Sequence, residues 1–193
     1  MRKTCSTIKA GFQNKPFRLK TLMVFQAAAS RDGRRHRGHL IAGATVVPCS
    51  IGRTGVRAAK REGDGATPLG SFRLSSLRYR PDKFRLNSWL VRSKQIKLSS
   101  GWCDDIGNSV YNREVSLPFG GRHERLWRED SVYDVVLLLD HNQTPRVKGF
   151  GSAIFLHLSN EMGGPTEGCI AISAVDMRRL LPRLGRHPVL TIR

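Results

Sequence analysis

The sequence predicts a mainly β domain, a sandwich or open barrel carrying one or two short helices. Three observations lead there. Short apolar, partly β-branched runs broken by Gly- and Pro-containing turns fill the stretches before residue 80 and after residue 132. Only one stretch, beginning at Ser173, spaces its apolar residues at helical intervals. At 193 residues, with no internal repeat, the chain suits one domain with an ordinary core.

Taken in order, Leu19 to Ala27 and Gly38 to Val47 read as two strands of a hairpin, joined by a polar turn containing Gly33. Gly70 to Tyr79 resumes strand character after the loop from Gly63 to Gly70. The middle, from Pro81 to Arg128, is polar, aromatic and irregular, which in a compact domain marks a functional segment. Val132 to Leu139 is a nearly continuous apolar run that ends at the turn Asp140 to Pro145. Ala153 to Leu158 is a short strand with Ile154, Leu156 and Leu158 on one face and Phe155, His157 and Ser159 on the other. Cys169 to Ile172 begins the next ordered piece. Ser173 and Asp176 have capping-box spacing ahead of Met177, Leu180, Leu181 and Leu184, so a short amphipathic helix starts there. Pro182 weakens its second half and Gly185 ends it, and Pro188 to Ile192 forms a closing strand. The domain runs from 19 to 193, behind a basic tail of residues 1–18. Thr21 to Ala29 faintly imitates a secretory signal, but Leu19 to Phe25 reads better as the first strand.

The formal net charge is +18. A charge of this size favours acidic or polyanionic partners: nucleic acid, anionic membrane, or a wall polymer rich in carboxylates. The basic residues are dispersed, and no RNP-like aromatic pattern, zinc-ligand spacing or heptad-plus-basic region accompanies them. A solvated basic surface is therefore an equal reading to a nucleic-acid groove. No stretch approaches the length of a membrane span. Cysteines 5, 49, 103 and 169 form no C-x-x-C pair, and the six histidines show no metal spacing.

The chemistry concentrates between Gly151 and Ser173. A cysteine directly after a glycine, at the start of an ordered element, can expose its sulfur beside convergent backbone N–H groups. His157, on the strand face away from Ile154 and Leu156, can take the thiol proton. Gly163-Gly164-Pro165 lets the chain reverse between them. The residues alone leave open an inert buried cysteine and a hydrogen-bonded core histidine.

The sequence resembles the YkuD-type L,D-transpeptidases. The hallmark of that family is a strand histidine followed by Ser/Thr-x-Gly-Cys and an apolar residue, here His157 and then Thr166-Glu167-Gly168-Cys169-Ile170. Thr67-Pro68-Leu69-Gly70-Ser71-Phe72 matches the family's upstream Thr-Pro-x-Gly-x-Phe segment. Further stretches resemble a proteobacterial subgroup: Ala59 to Pro68, Gly101-Trp102-Cys103-Asp104-Asp105, Tyr111-Asn112-Arg113, Leu126 to Asp130 and Tyr133 to Val136. The resemblance covers nearly everything from residue 20 onward. It departs from better-known members at Glu167, where histidine is common, at Ala171, where Arg or Asn is common, and in a shorter loop after His157.

The resemblance implies a peptidoglycan transpeptidase active in cell-wall biogenesis and cell shape, working in the periplasm or cell envelope without a cofactor or metal. Cys169 is then the nucleophile of a thioester acyl-enzyme and His157 its base, with the N–H groups of Gly168 and Cys169 as oxyanion donors. Peptide stems of peptidoglycan are the expected partners, with envelope proteins as alternative acyl acceptors and no nucleic acid. The subgroup is associated with L-alanine–diaminopimelate linkage. Lys60, Arg61, Arg113 and Arg128 are candidate clamps for stem carboxylates, and Trp102, Tyr111, Asn112, Thr166 and Glu167 candidate pocket walls. The competing readings are a stem-trimming carboxypeptidase and, from another class, a basic nucleic-acid-binding protein.

Overall fold

A computed structural model describes residues 18–28, 35–85, 91–160 and 163–193. Strand β1, Leu19–Gln26, turns Leu19, Leu22 and Val24 into the main core. Leu19 and Leu22 are three residues apart and would face opposite sides of a regular strand. A register shift between Leu19 and Thr21, against the last strand, brings them to the same side. The apolar run from 38 to 47 is two strands instead of the single one expected. Gly43, at φ 64°, reverses the chain with Ala44 between β2, Arg37–Ala42, and β3, Thr45–Ser50. The predicted antiparallel pairing of the first two strands holds between β1 and β2.

Two short parallel strands follow, β4 (Val56–Arg57) and β5 (Thr67–Pro68), and then the ten-residue β6, Gly70–Tyr79. The middle segment is more regular than its composition suggests. After β7, Ser93–Gln95, a three-stranded antiparallel sheet sets β8, Ser100–Cys103, between β9, Arg113–Ser116, and β10, His123–Arg125. These strands are three or four residues long and mostly polar, so they carry too little alternation to be read from sequence.

Strand β11, Val135–Leu139, is buried along its whole length because both its faces are covered. Val135, Leu137 and Leu139 enter the main core, while Val136 and Leu138 enter a second core with Trp102, Tyr133 and Phe155. Strand β12, Phe155–Leu158, divides in the same way: Leu156 and Leu158 face the main core, Phe155 the second. Strand β13, Ile170–Ile172, runs parallel to β12. Ser173 caps helix α1, Ala174–Leu180, by accepting from Asp176 N, as the capping-box spacing predicts. A 3-10 turn carrying Pro182 follows. The last strand, β14, is longer than expected: Leu184–Ile192 includes Gly185, which therefore does not end the helix.

The pairings run β11-β12-β13-β3-β2-β1-β14-β6 and return from β6 to β11, so the main sheet curls round on itself as a sandwich-like barrel. Its narrowest seam is β13 to β3, joined through Ala171 and Ser50. The basic tail and Cys5 lie outside the described residues, apart from Arg18.

Candidate active site

Beside that narrow seam the chain forms a braced loop. Thr166 bridges to Gly52: its N–H donates to Ile51 O at 3.1 Å and its carbonyl accepts from Arg53 N at 2.9 Å. Thr166 Oγ1 donates to Cys169 O at 2.6 Å and accepts from Gly168 N at 3.2 Å. The Thr67 hydroxyl, fully buried, donates to Gly168 O at 2.9 Å and accepts from Gly52 N at 2.8 Å. Residue 168 has to be glycine. Its φ is 138°, and a Cβ there would stand 2.7 Å from Ala66 O. The Thr67-Pro68 segment thus braces the turn that delivers Cys169.

Cys169 is 8% exposed, at the entrance to β13. Its Sγ donates to Ala153 O at 3.1 Å and accepts from Phe155 N at 3.4 Å. Ala153 is held in the left-handed region, at φ 52°, a conformation that costs an alanine roughly 1–2 kcal/mol. Asn112 offsets that cost. Its Oδ1 accepts from Ala153 N at 3.2 Å and from Trp102 Nε1 at 3.1 Å, while its Nδ2 donates to the carbonyls of His141 and Asn142. The thiol therefore rests on a backbone carbonyl aimed by a buried amide.

His157 lies on β12 opposite Ala171, two residues beyond Cys169. Its Nδ1 is 2.8 Å from Leu158 O. A carbonyl can only accept, so Nδ1 carries the proton and Nε2 keeps its lone pair. Burial lowers His157 to about 4, and burial followed by the charge of Glu124 pushes the Cys169 thiol far above its ordinary value. At neutral pH the resting pair is thus neutral thiol and neutral imidazole. Both line one cleft of about 550 Å³.

Of the other sequence-predicted residues, Lys60, Arg128, Thr166 and Glu167 also line this cleft. Lys60 is buried, with Nζ 2.5 Å from Asp64 Oδ1 and 2.8 Å from Arg61 O. Arg128 forms a bidentate pair with Asp130 at 2.6 and 2.8 Å. Glu167 pairs with Arg53 at the surface. The remaining candidates do not reach the cleft. Trp102 is buried edge-on to Phe155, with centroids 5.3 Å apart. Tyr111 is buried and hydrogen-bonds Glu62, and Asn112 supports Ala153 from behind. Arg113 borders a separate hollow, and exposed Arg61 lies 3.9 Å over the Phe150 ring.

Sequence reasoning missed Glu62, Asp104, Arg122, Glu124 and Tyr133, all on the cleft wall. Glu62 and Asp104 interrupt recognisable blocks and could have been singled out. Glu124 lies in an Arg-rich stretch and carries no local signal. Among the described residues, no group of three or more His, Cys, Asp or Glu side chains could hold a metal, and no helix is long and apolar enough to cross a membrane. Cys49, Cys103 and Cys169 are free thiols.

Set against known proteins, residues 31–190 match the model of the YkuD family, described as the L,D-transpeptidase catalytic domain. No curated protein matches the chain.

Proposed function

The chain belongs to the YkuD family of L,D-transpeptidase catalytic domains, whose work is on peptidoglycan, and from that premise we propose that Cys169 and His157 carry an acyl transfer between peptide stems. The observation that carries the reading is the arrangement of the pair. The thiol of Cys169 and the imidazole of His157 share one cleft, and Leu158 O holds Nδ1–H so that the basic Nε2 is left for the thiol proton.

His157 takes the thiol proton as sulfur attacks an amide carbonyl of the donor stem. The tetrahedral oxyanion meets the Cys169 N–H, which has no hydrogen-bond partner among the described residues. The Gly168 N–H, the other expected donor, is already held by Thr166 Oγ1. His157 then protonates the leaving amine, and a thioester remains on Cys169. An amine of a second stem attacks the thioester, its proton passes through His157 to sulfur, and the free thiol returns. Because the resting pair is neutral, His157 acts as a general base during attack. Lys60, Arg122 and Arg128 line the cleft, and each is paired with an acidic neighbour, Asp64, Asp104 and Asp130, that a stem carboxylate has to displace.

The site of action is the periplasm or cell envelope, where this substrate lies. The linkage formed is of the L-alanine–diaminopimelate type, on the resemblance of the blocks between residues 59 and 136. The test is incubation of the protein and Cys169→Ala with monomeric fragments bearing tetrapeptide stems, read by mass spectrometry with fragmentation. Dimers joined through L-alanine, made only by the unaltered protein, support the whole reading. Dimers joined through diaminopimelate on both sides keep the enzyme and reject the linkage. Shortened stems without dimers indicate a hydrolase.

A further inference from the structure

The proposed transfer has a proton that His157 alone does not handle. An amine acceptor arrives at neutral pH as an ammonium. It must lose one proton before its lone pair can attack, and a second as the amide forms. His157 is neutral again once it has protonated the leaving amine, and it takes the second proton and returns it to sulfur. The first proton needs another base.

Glu124 stands where that base is required. On β10 it is the cross-strand partner of Trp102, so its side chain points inward on the same face as that buried ring. There it lines the cleft with Cys169 and His157. Its Oε2 accepts the Tyr133 hydroxyl at 2.5 Å, and its Oε1 makes no hydrogen bond among the described residues. The Tyr133 ring meets His157 edge-on, with centroids 5.2 Å apart, so one aromatic ring separates the carboxylate from the imidazole. The other charged groups facing Glu124 are Asp104, Glu62 and Arg128, and the neutral Cys169 thiol lies beside them. Arg128, the cation among them, is already committed to Asp130. Burial, with a smaller contribution from the charge of Asp104, raises the Glu124 carboxyl against the opposing Tyr133 hydrogen bond, which makes it a stronger base than an exposed carboxylate.

Resting on the transpeptidase reading, we propose that Glu124 is a catalytic residue of the second half-reaction, docking the ammonium of the acceptor and accepting its first proton. The ammonium gives H⁺ to the Glu124 carboxylate and becomes a free amine. The amine nitrogen attacks the thioester carbon, the C–N bond forms, and its second proton moves to His157 Nε2. The C–S bond breaks, sulfur takes the proton from His157, and Glu124 releases its proton to water. The acceptor class is a primary ammonium. Water and neutral hydroxyl groups have a single proton to lose on attack, which His157 takes, so they depend on the carboxylate less than an ammonium does.

The test is the partition of one acyl-enzyme between amine and water, because that ratio reads the second half-reaction alone. Cys169 is loaded with a donor stem, an amine acceptor is added, and aminolysis and hydrolysis products are counted by mass spectrometry. Glu124→Gln keeps an acceptor for the Tyr133 hydroxyl. It lowers the amine-to-water ratio about tenfold or more at pH 7, with the deficit closing as pH approaches the acceptor's own pKa and solution supplies free amine. Glu124→Asp, which keeps the carboxylate, restores part of the ratio at pH 7. A wild-type ratio in Glu124→Gln overturns the proposal, and so does a deficit that is constant with pH, which would be a packing defect. If the unaltered protein never shows a thioester mass on Cys169, the transpeptidase reading fails and this proposal falls with it.

Discussion

The thiol of Cys169 is kept protonated by its surroundings, and this sets how the residue behaves toward simple reagents. Burial raises it well above an ordinary cysteine, and its hydrogen bonds go to the backbone of Ala153 and Phe155. Iodoacetamide at pH 7, followed by peptide mapping, is therefore expected to label Cys169 more slowly than a free cysteine, at a rate still climbing above pH 9. Fast labelling at neutral pH would mean a preformed thiolate. His157 gives a second pH signature. It titrates near 4 when folded against 6.5 for the ordinary group, so between those values the unfolded chain binds more protons. Stability then falls as pH drops from 6.5 toward 4, by at most about 3 kcal/mol, and His157→Gln flattens that part of the urea-midpoint profile. Asn112→Ala strands Ala153 N and Trp102 Nε1 without their acceptor. It is expected to cost about 2–4 kcal/mol in urea unfolding and to lower turnover, because the carbonyl that holds the thiol is no longer fixed. Cys169 and His157, the proposed nucleophile and base, could be singled out because Thr166-Glu167-Gly168-Cys169 and a preceding strand histidine match the motif of the YkuD family. The supporting role of Asn112, named from sequence only as a pocket wall, was not legible, because it depends on a left-handed backbone at φ 56° and on His141, Asn142 and Ala153, about thirty to forty residues away.

Among the elements, those buried by a regular period were readable and those defined by a partner were not. Strands β11 and β12 announce themselves through apolar runs, and the Ser173 cap through its spacing to Asp176. Strands β8 to β10 exist through one another: Arg113 pairs with Cys103 and Glu124 with Trp102, pairings that no local pattern encodes. The extent of β14 was underestimated for a related reason. Gly185 looks like a helix terminator, yet it sits within a strand edge-paired to β1 and β6. The turn before Cys169 yields a sharp element-scale prediction. Gly168→Ala forces a Cβ against Ala66 O in a backbone region alanine resists. The variant is expected to unfold at lower urea and to lose most transpeptidation, while Gly163→Ala, facing open space although also at positive φ, loses far less activity.

The main sheet of the described residues is brought round by its last strand. β14 joins β1 to β6, and β6 returns the ring to β11, so the strand that ends the described chain also unites its two halves. Deleting residues 184–193 is expected to abolish cooperative unfolding, because it uncovers the edges of β1 and β6 and removes Leu184, Leu190 and Ile192 from the main core. This closure was hidden in the sequence, where Thr21 and Val189 are distant and neither names its partner. The mainly β class was legible because it follows from composition and period alone. The charge of +18 is not concentrated at the cleft, whose lining mixes Lys60, Arg122 and Arg128 with Glu62, Asp104, Glu124 and Glu167. The measurement that bears most directly on the central claim is cross-linking of monomeric tetrapeptide fragments by the intact protein beside Cys169→Ala, with products read by mass spectrometry. Dimers that form with the intact protein and fall by about three orders of magnitude or more in the variant, together with a thioester mass on Cys169, are the predicted result. Unchanged fragments in both samples, from protein shown to be folded, would contradict it.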